Sequence, residues 1–517
     1  MDSIAPRENT PFSRAGKYKT VSLTFLCIAL VCGFFADIDI VTSTPWFELG
    51  NIGYGLLTPD FLSIENLFSS LFNTLAFALL GTFTANVFGF LLALVFHWQW
   101  IRIFCAFIRA IHELFWALLF LQVFGLSTLT GILAIAIPFT GIFAKVYAEI
   151  LEESDQTAWQ TISSSGDWLS RFFYTRLPTA FIHFKAYSLY RLECGIRSSA
   201  ILGFIGLPTL GFHLETAFSQ GLYSEAAALL YVFFFIIATL KYWLQIKLLP
   251  IYLLVAFLWL PDNGPFSWQL LCRFVTEDIV PFPLRGGDLF NYQEIVGLFH
   301  WLWQFARTEI FEGVINTLVL SFLALVCSGI IGLLLFPVVS RLFVNAPIRT
   351  LGHISLVVFR STPELILTFL ATLVLGPSML PAIFALSIHN GAILAYLVGQ
   401  NSNSLSVRID ANSGIRLYLY EVLPRIYGQF LAFLFYRWEV IIRETAILGI
   451  LGVHTLGFYV DSAFEDLRFD RAFLLIFLTA MLNILVDSMS RILRKRLHFT
   501  KLANTENNAP PTSDTVI

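Results

Sequence analysis

The chain has 517 residues, of which 57% are hydrophobic and 13% are charged, and its mean hydropathy is +0.74. Soluble domains carry about 25% charged residues, so the composition excludes an ordinary soluble domain and predicts an all-α membrane protein. The net charge of −3 gives no reason to expect nucleic-acid binding, and the six cysteines, which lie mostly inside apolar segments, do not form a disulfide pattern.

Apolar segments long enough to cross a bilayer recur along the whole chain. About twelve spans are predicted by the length criterion of ~20 residues, six in each half. The fifth span of each half could continue past its glycine-rich end as a bent or re-entrant segment. The predicted starts are near Val21, Leu71, Arg102, Leu129, Pro178, Glu225, Leu248, Gly313, Leu351, Leu380, Pro424 and Asp470.

The loops between these spans predict the orientation. With the N-terminus in the cytoplasm, the loops on that side hold most of the lysines and arginines, and the opposite loops are mainly acidic. This distribution follows the positive-inside rule and places both termini in the cytoplasm. We therefore divide the chain into a cytoplasmic segment 1–20, repeats 21–245 and 246–500, and a disordered cytoplasmic tail 501–517.

The two repeats are recognised by a phrase that occurs twice. Residues 190–212 are YRLECGIRSSAILGFIGLPTLGF, and residues 436–458 are YRWEVIIRETAILGILGVHTLGF. The offset between them is 246 residues, and the prolines Pro178 and Pro424 keep it.

Earlier segments also correspond. Arg109 and Glu113 match Arg360 and Glu364 at an offset of 251 residues, and the pair at 73–74, Asn-Thr, recurs at 316–317. Because each half has six predicted spans, the repeats enter the membrane in the same direction. Such parallel repeats place a shared pathway at the interface of the halves.

Charged residues inside the repeated phrases have two interpretations. An ionisable side chain at the bilayer centre costs about 2.5 kcal/mol or more, so it pairs with another charge or faces a polar interior. The i, i+4 neighbours could neutralise each other within one helix, or they could line the route of an anion; we favour the second for the glutamate-first pairs and leave both open for the arginine-first pairs. The candidate pathway residues are Tyr190, Glu193, Arg197, Tyr436, Glu439, Arg443, Arg109 and Arg360.

Within each repeated phrase, glycines follow the charged residues. Gly203 and Gly206, with Gly449 and Gly452, predict a tight turn with close helix packing. The functional alternative is a backbone bend that acts as a gate, and both can hold.

At this point the motifs resemble the integral-membrane permease subunit of ABC importers. The stretch 147–178, YAEILEESDQTAWQTISSSGDWLSRFFYTRLP, is similar to the family's cytoplasmic EAA loop, which forms the coupling helix for the ATPase. The segments YRLECGIRSSAILG and YRWEVIIRETAILG resemble the sequence signature of the phosphonate permease subfamily. The candidate ATPase-coupling residues are Glu149, Glu153, Gly166, Pro178, Gly399, Gly414 and Pro424.

The resemblance implies an importer-type permease fold in a bacterial inner membrane, with two permease units fused in one chain. It implies a path for a phosphonate-, phosphite- or phosphate-like oxyanion. Two cytoplasmic ATPase subunits would bind ATP and Mg²⁺, a periplasmic solute-binding protein would deliver the solute, and no second permease chain would be needed. This chain itself would hold no cofactor, and it has no phosphate-binding loop motif.

Departures from the family pattern predict unequal coupling sites. The first loop lacks the Ala-Ala pair after its glutamate, and the second is shorter and has Gly399 where the acid is expected. Pro208 and His454 also interrupt the glycine-rich segments.

Three alternatives stay open. An ABC permease for another small solute, such as an amino acid, would have the same architecture. A secondary transporter with a 6+6 repeat would need a coupling-ion site near the membrane midplane. A membrane enzyme is disfavoured, because His112-Glu113 is not followed by a second histidine at 116, and His300 and His389 are isolated, so we expect no metal site.

Overall fold

The computed structural model describes residues 11–64, 66–154, 157–161, 167–260, 267–285, 292–408 and 413–497. Every regular element within these ranges is helical, so the predicted all-α class is confirmed. The first ten residues and the predicted tail 501–517 lie outside the described residues.

The first half forms eleven α-helices within the described residues. They are α1 (Pro11–Phe35), α2 (Pro45–Leu57), α3 (Leu67–Leu94), α4 (Gln99–Ala110), α5 (Glu113–Phe124), α6 (Thr128–Glu153), α7 (Thr157–Thr161), α8 (Trp168–Arg171), α9 (Leu177–Ile201), α10 (Leu210–Ser219) and α11 (Tyr223–Trp243).

The second half repeats this order from α15 onward. Its described helices are α12 (Leu249–Trp259), α13 (Trp268–Arg273), α14 (Tyr292–Phe305), α15 (Phe311–Val339), α16 (Ala346–Ser361), α17 (Glu364–Leu375), α18 (Met379–Asn403), α19 (Leu423–Ile447), α20 (Leu456–Glu465) and α21 (Phe469–Arg496).

Among the described residues, seven helices are long and apolar enough to cross a membrane, and four bent helix pairs raise the number to as many as eleven. Eleven of the predicted spans correspond to these helices. The span predicted from Leu248 differs, because α12 has only 11 residues, about 16 Å at 1.5 Å per residue. A bilayer core is about 30 Å thick, so α12 alone is too short to cross it.

The third predicted span of each half is not straight. The axes of α4 and α5 differ by 88°, and those of α16 and α17 by 92°. In the second half Pro363 explains the break, because a proline disfavours the helical conformation of the residue before it. In the first half His112 takes an extended conformation at the start of α5, and its Nδ1 accepts a hydrogen bond from the Leu114 N–H at 3.2 Å.

The two halves exchange these broken segments. Apolar residues of α5 pack in one buried cluster with α20 and α21, and residues of α17 pack in another with α10 and α11. Helix α1 also crosses to the second half, where the Phe25 ring meets the Trp438 ring edge-on at 5.4 Å. Because each half completes the other's core, burial of apolar surface holds the halves together.

Candidate functional site

A cavity of about 430 Å³ lies between the two halves. Its volume is in the range of small-molecule sites. The repeated helices α9 and α19 face each other across it, and the breaks before α5 and α17 contribute further residues. Five arginines and four glutamates line it: Arg191, Arg197, Arg360, Arg437, Arg443, Glu113, Glu193, Glu364 and Glu444.

Six of the eight predicted pathway residues line this cavity. They are Tyr190, Glu193, Arg197, Tyr436, Arg443 and Arg360. On α9 the cavity is lined by positions 190, 193, 194, 197 and 201. This i, i+3, i+4, i+7 spacing is that of one helix face. Sequence reasoning missed Arg191 and Arg437, although both stand inside the repeated phrases and this stripe passes beside them.

The other two predicted pathway residues, Arg109 and Glu439, lie in a neighbouring ion-pair network. Arg109 Nη1 contacts Glu439 Oε1 at 2.7 Å, and its Nη2 contacts Asp487 Oδ2 at 3.0 Å. These three residues belong to α4, α19 and α21, so the network joins the first half to the second. The contacts indicate a role in packing for this pair.

Within the described residues, none of the four i, i+4 pairs considered from the sequence forms a salt bridge. Arg109 and Glu113 lie on opposite sides of the break between α4 and α5, and the corresponding break between α16 and α17 separates Arg360 from Glu364. Glu439, on the same helix as Arg443, is instead paired with the other half. The predicted neutralisation within these four i, i+4 pairs is therefore not the arrangement that the structure adopts.

The second arginines of the two phrases make reciprocal bonds across the interface. Arg197 Nη1 donates to the Arg360 carbonyl oxygen at 3.1 Å, and Arg443 Nη1 donates to the Arg109 carbonyl oxygen at 3.0 Å. Both carbonyls stand in the last turn before a break, where a helix leaves its carbonyls without helical partners. Each half thus donates a hydrogen bond to a carbonyl at the end of the other half's broken helix.

The walls of the cavity are not equivalent. On the first-half wall, Arg191 lies over the Phe139 ring at 5.3 Å and donates from Nε to the Tyr187 hydroxyl at 2.9 Å. On the second-half wall, Arg437 Nε donates to Asn390 Oδ1 at 2.6 Å, and its Nη2 contacts Glu444 Oε1 at 3.3 Å.

These contacts follow from substitutions between the repeats. Asn390 stands where the first half has Phe139, and Glu444 stands where it has Ser198. Among the residues that the structure describes, Arg191 on the first-half wall therefore has no acid within salt-bridge distance, whereas its counterpart Arg437 is paired with Glu444.

The predicted gate glycines form a tight turn in each half. Gly206 has φ +92° and Gly452 has φ +83°, a conformation that disfavours residues with a Cβ. A Cβ on Gly203 or Gly449 would overlap the backbone of the helix that follows. The axes change by 52° and 43° at these turns, so the expected bends are present, and gating stays a prediction.

The repeated Asn-Thr pairs fix these turns. Asn73 Nδ2 donates to the Pro208 carbonyl at 2.9 Å, and Asn316 Nδ2 donates to the His454 carbonyl at 2.8 Å. The next residue, a threonine in both halves, accepts from the first backbone N–H of α10 or α20. Both bonds satisfy backbone groups that the turn removes from helical bonding.

The predicted coupling residues of the first loop lie at helix ends. Glu149 and Glu153 are on the last turns of α6, where the Glu149 carboxylate is half-exposed and 3.9 Å from Lys145 Nζ. Pro178 is in the first turn of α9. Gly166 lies outside the described residues. Nearby, the guanidinium groups of Arg171 and Arg176 lie over the Trp159 ring, 4.1 and 4.7 Å from its centre.

The predicted coupling residues of the second loop have different surroundings. Gly399 is buried, and a Cβ there would overlap Val339 of α15, so this position serves close helix packing. Gly414 has φ +65° and is exposed. Pro424 starts α19 as Pro178 starts α9.

No family model matches the chain, and no solved structure matches it. The phosphate-import permease protein of Mycolicibacterium smegmatis is 25% identical over 417 residues, which cover 76% of this chain and 76% of that protein. The phosphite transport system permease protein of Stutzerimonas stutzeri is 25% identical over 223 residues, 41% of this chain and 81% of that protein. The first match thus spans both halves, while the second, which covers most of its own length, corresponds to about one half. The chain is thus similar to the permease proteins of phosphate and phosphite transport systems, and the two matches fit a chain that holds two such units in tandem.

Proposed function

We propose that this chain is the membrane permease of an ABC importer and forms the pathway for a phosphorus oxyanion of the phosphate, phosphite or phosphonate type. One observation carries the proposal. Arg191, Arg197, Arg360 and Arg443 line the cavity, and within the described residues none of them has a carboxylate within salt-bridge distance. A guanidinium presents N–H donors in a planar fork that matches the oxygens of such an anion.

The arginines keep donor capacity for a ligand. The Nε atoms of Arg197 and Arg360 are buried and, within the described part of the chain, have no hydrogen-bond partner. Arg360 is stabilised by the face of the Tyr396 ring, 4.5 Å away, and Arg197 by one backbone carbonyl. Buried donors without partners are costly, so an anion that accepts from them is favoured.

The transport cycle follows from the reciprocal contacts. Movement of the halves, alternately exposing the cavity to the two sides, has to break or reshape the bonds from Arg197 and Arg443. Cytoplasmic ATPase subunits supply the energy through the loops after α6 and α18, and a periplasmic binding protein supplies the solute. The same proposal places the chain in a bacterial inner membrane with both termini in the cytoplasm.

A secondary transporter is the second candidate, because the cavity contains buried carboxylates that a coupling ion could use. Transport by the purified chain in proteoliposomes, measured with and without an ABC ATPase and a solute-binding protein, separates the two. We expect uptake of radiolabelled phosphate, phosphite or methylphosphonate only with both partners and ATP. Uptake by the chain alone, driven by a proton or sodium gradient, would refute the importer assignment.

A further inference from the structure

Three ligand-type side chains converge on the second-half wall of the cavity. Glu364 starts α17, His389 lies in the middle of α18, and Glu444 lies near the end of α19. One carboxylate oxygen of each glutamate and one ring nitrogen of His389 lie within 4.8 Å of one another. The exposed fractions of the three residues are 8%, 1% and 6%.

The hydrogen bonds of His389 indicate which of its ring nitrogens carries the hydrogen. Nδ1 is 3.2 Å from the Phe359 carbonyl oxygen and 3.1 Å from the Thr362 carbonyl oxygen. A carbonyl oxygen only accepts, so Nδ1 carries the hydrogen and Nε2 presents a lone pair. Nε2 is 3.9 Å from Glu364 Oε2 and, within the described residues, has no hydrogen-bond donor. With a neutral imidazole, a nitrogen lone pair therefore faces two carboxylate groups, and within the described residues no hydrogen bond joins the three side chains.

We propose that Glu364, His389 and Glu444 bind one divalent metal ion of the borderline class, such as Zn²⁺ or Mn²⁺. One imidazole nitrogen with two carboxylates is a ligand set suited to such ions. A histidine that ligates a metal characteristically donates its other ring N–H to a carbonyl or carboxylate, as His389 does through Nδ1.

The surrounding residues orient Glu444. Asn390 Nδ2 donates to Glu444 Oε2 at 2.9 Å, and Arg437 Nη2 contacts Oε1 at 3.3 Å. A carboxylate has about four lone-pair positions, so these bonds leave positions for an ion. Three protein ligands also leave a coordination position open toward the cavity. If the proposed function holds, an oxygen of the oxyanion can occupy that position; the metal site itself does not depend on it.

The cluster belongs to the second half alone. At the corresponding positions the first half keeps Glu113 but has Pro138 and Ser198 in place of the histidine and the second glutamate. Glu113 there accepts a hydrogen bond from the Ser198 hydroxyl at 2.6 Å. The first half thus suggests a substitution for the test: Glu444→Ser gives the second half the residue that the first half has at this position, Ser198.

The test is metal binding by the full-length purified chain without any partner. After chelation and dialysis, Zn²⁺ and Mn²⁺ are titrated and bound metal is counted by mass spectrometry. We expect one saturable ion per chain, and binding at least about 10-fold weaker in His389→Gln and in Glu444→Ser. Two variants serve as controls for metal binding, His300→Gln at an exposed histidine and Glu113→Gln in the first half.

Thermal unfolding separates lost ligation from misfolding. An ion that binds the folded chain raises its unfolding temperature. We expect His389→Gln to unfold like the wild type without metal and to lose most of the metal-induced increase. The proposal is overturned if the wild type binds no saturable ion, or if His389→Gln and Glu444→Ser bind it as the wild type does. Metal binding without oxyanion transport would refute the proposed function alone, and transport without metal binding would refute this site alone.

Discussion

Arg197 and Arg443 occupy the same position in the two repeats and donate the same hydrogen bond in opposite directions across the interface, to the carbonyls of Arg360 and Arg109 at 3.1 and 3.0 Å. A broken helix in each half is therefore completed by the other half. Both arginines line the cavity between the halves, so the contacts that hold the interface also face the proposed ligand.

We expect Arg197→Ala and Arg443→Ala to weaken uptake of the oxyanion about 10- to 100-fold, because a hydrogen bond to a charged group contributes about 1.5–3 kcal/mol. Uptake by proteoliposomes with both partners measures this. Arg273→Ala, whose side chain is 67% exposed, is the control and should transport normally. If both cavity variants transport at the wild-type rate while inserting normally, these arginines are not on the pathway.

The non-equivalent walls predict that Arg191 and Arg437 differ, although they occupy the same repeat position. Arg191 has no acid partner in the described residues, whereas Arg437 is paired with Glu444 at 3.3 Å. We expect Arg191→Gln to raise the KM for the oxyanion about 10-fold, the loss of one charge-assisted bond. Arg437→Gln should instead lower the yield of folded protein, because it leaves Glu444 buried without its cation. Equal KM changes in two well-folded variants would contradict the asymmetry.

Arg109 tests the distinction between pathway and packing. Arg109→Ala removes the partner of Glu439 and one partner of Asp487, whose side chains are 15% and 6% exposed. Breaking a buried pair in this way costs about 3–5 kcal/mol. The variant should unfold at a lower temperature, and adding Glu439→Gln should restore part of the loss. A normal unfolding temperature with a raised KM would instead return Arg109 to the pathway.

The repeat, and the common helix face of the predicted residues that line the cavity, could be predicted from the sequence because they depend on periodic spacing within one helix. Arg197 and Tyr190 lie on one face of α9 whatever surrounds it. The ion-pair partners could not be predicted, because Arg109 and Glu439 are brought together by the exchange of broken segments between the halves. The right-angled break at Pro363 has a local signal, whereas that at His112 has a much weaker one.

The cluster of Glu364, His389 and Glu444 was beyond sequence reasoning for the same reason. Its members come from three helices, and two of them interrupt the repeat, where Pro138 and Ser198 stand in the first half. An isolated histidine in an apolar helix gives no sign of the carboxylates that will face it. Comparing the two repeats position by position would have marked these substitutions, although it would not have shown that they meet.

Positive φ at Gly206 and Gly452 predicts that alanine is costly there. A residue with a Cβ in this conformation is destabilised by about 1–2 kcal/mol. We expect Gly206→Ala and Gly452→Ala to lower the unfolding temperature. Gly50→Ala is the control, because this helical glycine on α2 has open space around it, and alanine should there be neutral or stabilising. If the turn acts only as packing, transport per folded molecule stays at the wild-type level; if it acts as a gate, transport falls further than stability does.

The two coupling loops should differ in how strongly they transmit ATP hydrolysis. Glu149 and Glu153 end α6 with exposed carboxylates, whereas α18 has Gly399 buried against Val339 and the uncharged Gln400 at the offset of 251 residues from Glu149. We expect Glu149→Ala combined with Glu153→Ala to lower substrate-stimulated ATP hydrolysis in the assembled transporter several-fold. Gln400→Ala, at an exposed position beside Gly399, should have little effect, because the second loop presents no acid there. Gly399→Ala is unsuitable as the matched change, since its Cβ would displace α15 and test packing instead. Equal losses in the double glutamate variant and in Gln400→Ala would show that both loops couple alike and would remove the basis for unequal ATPase contacts.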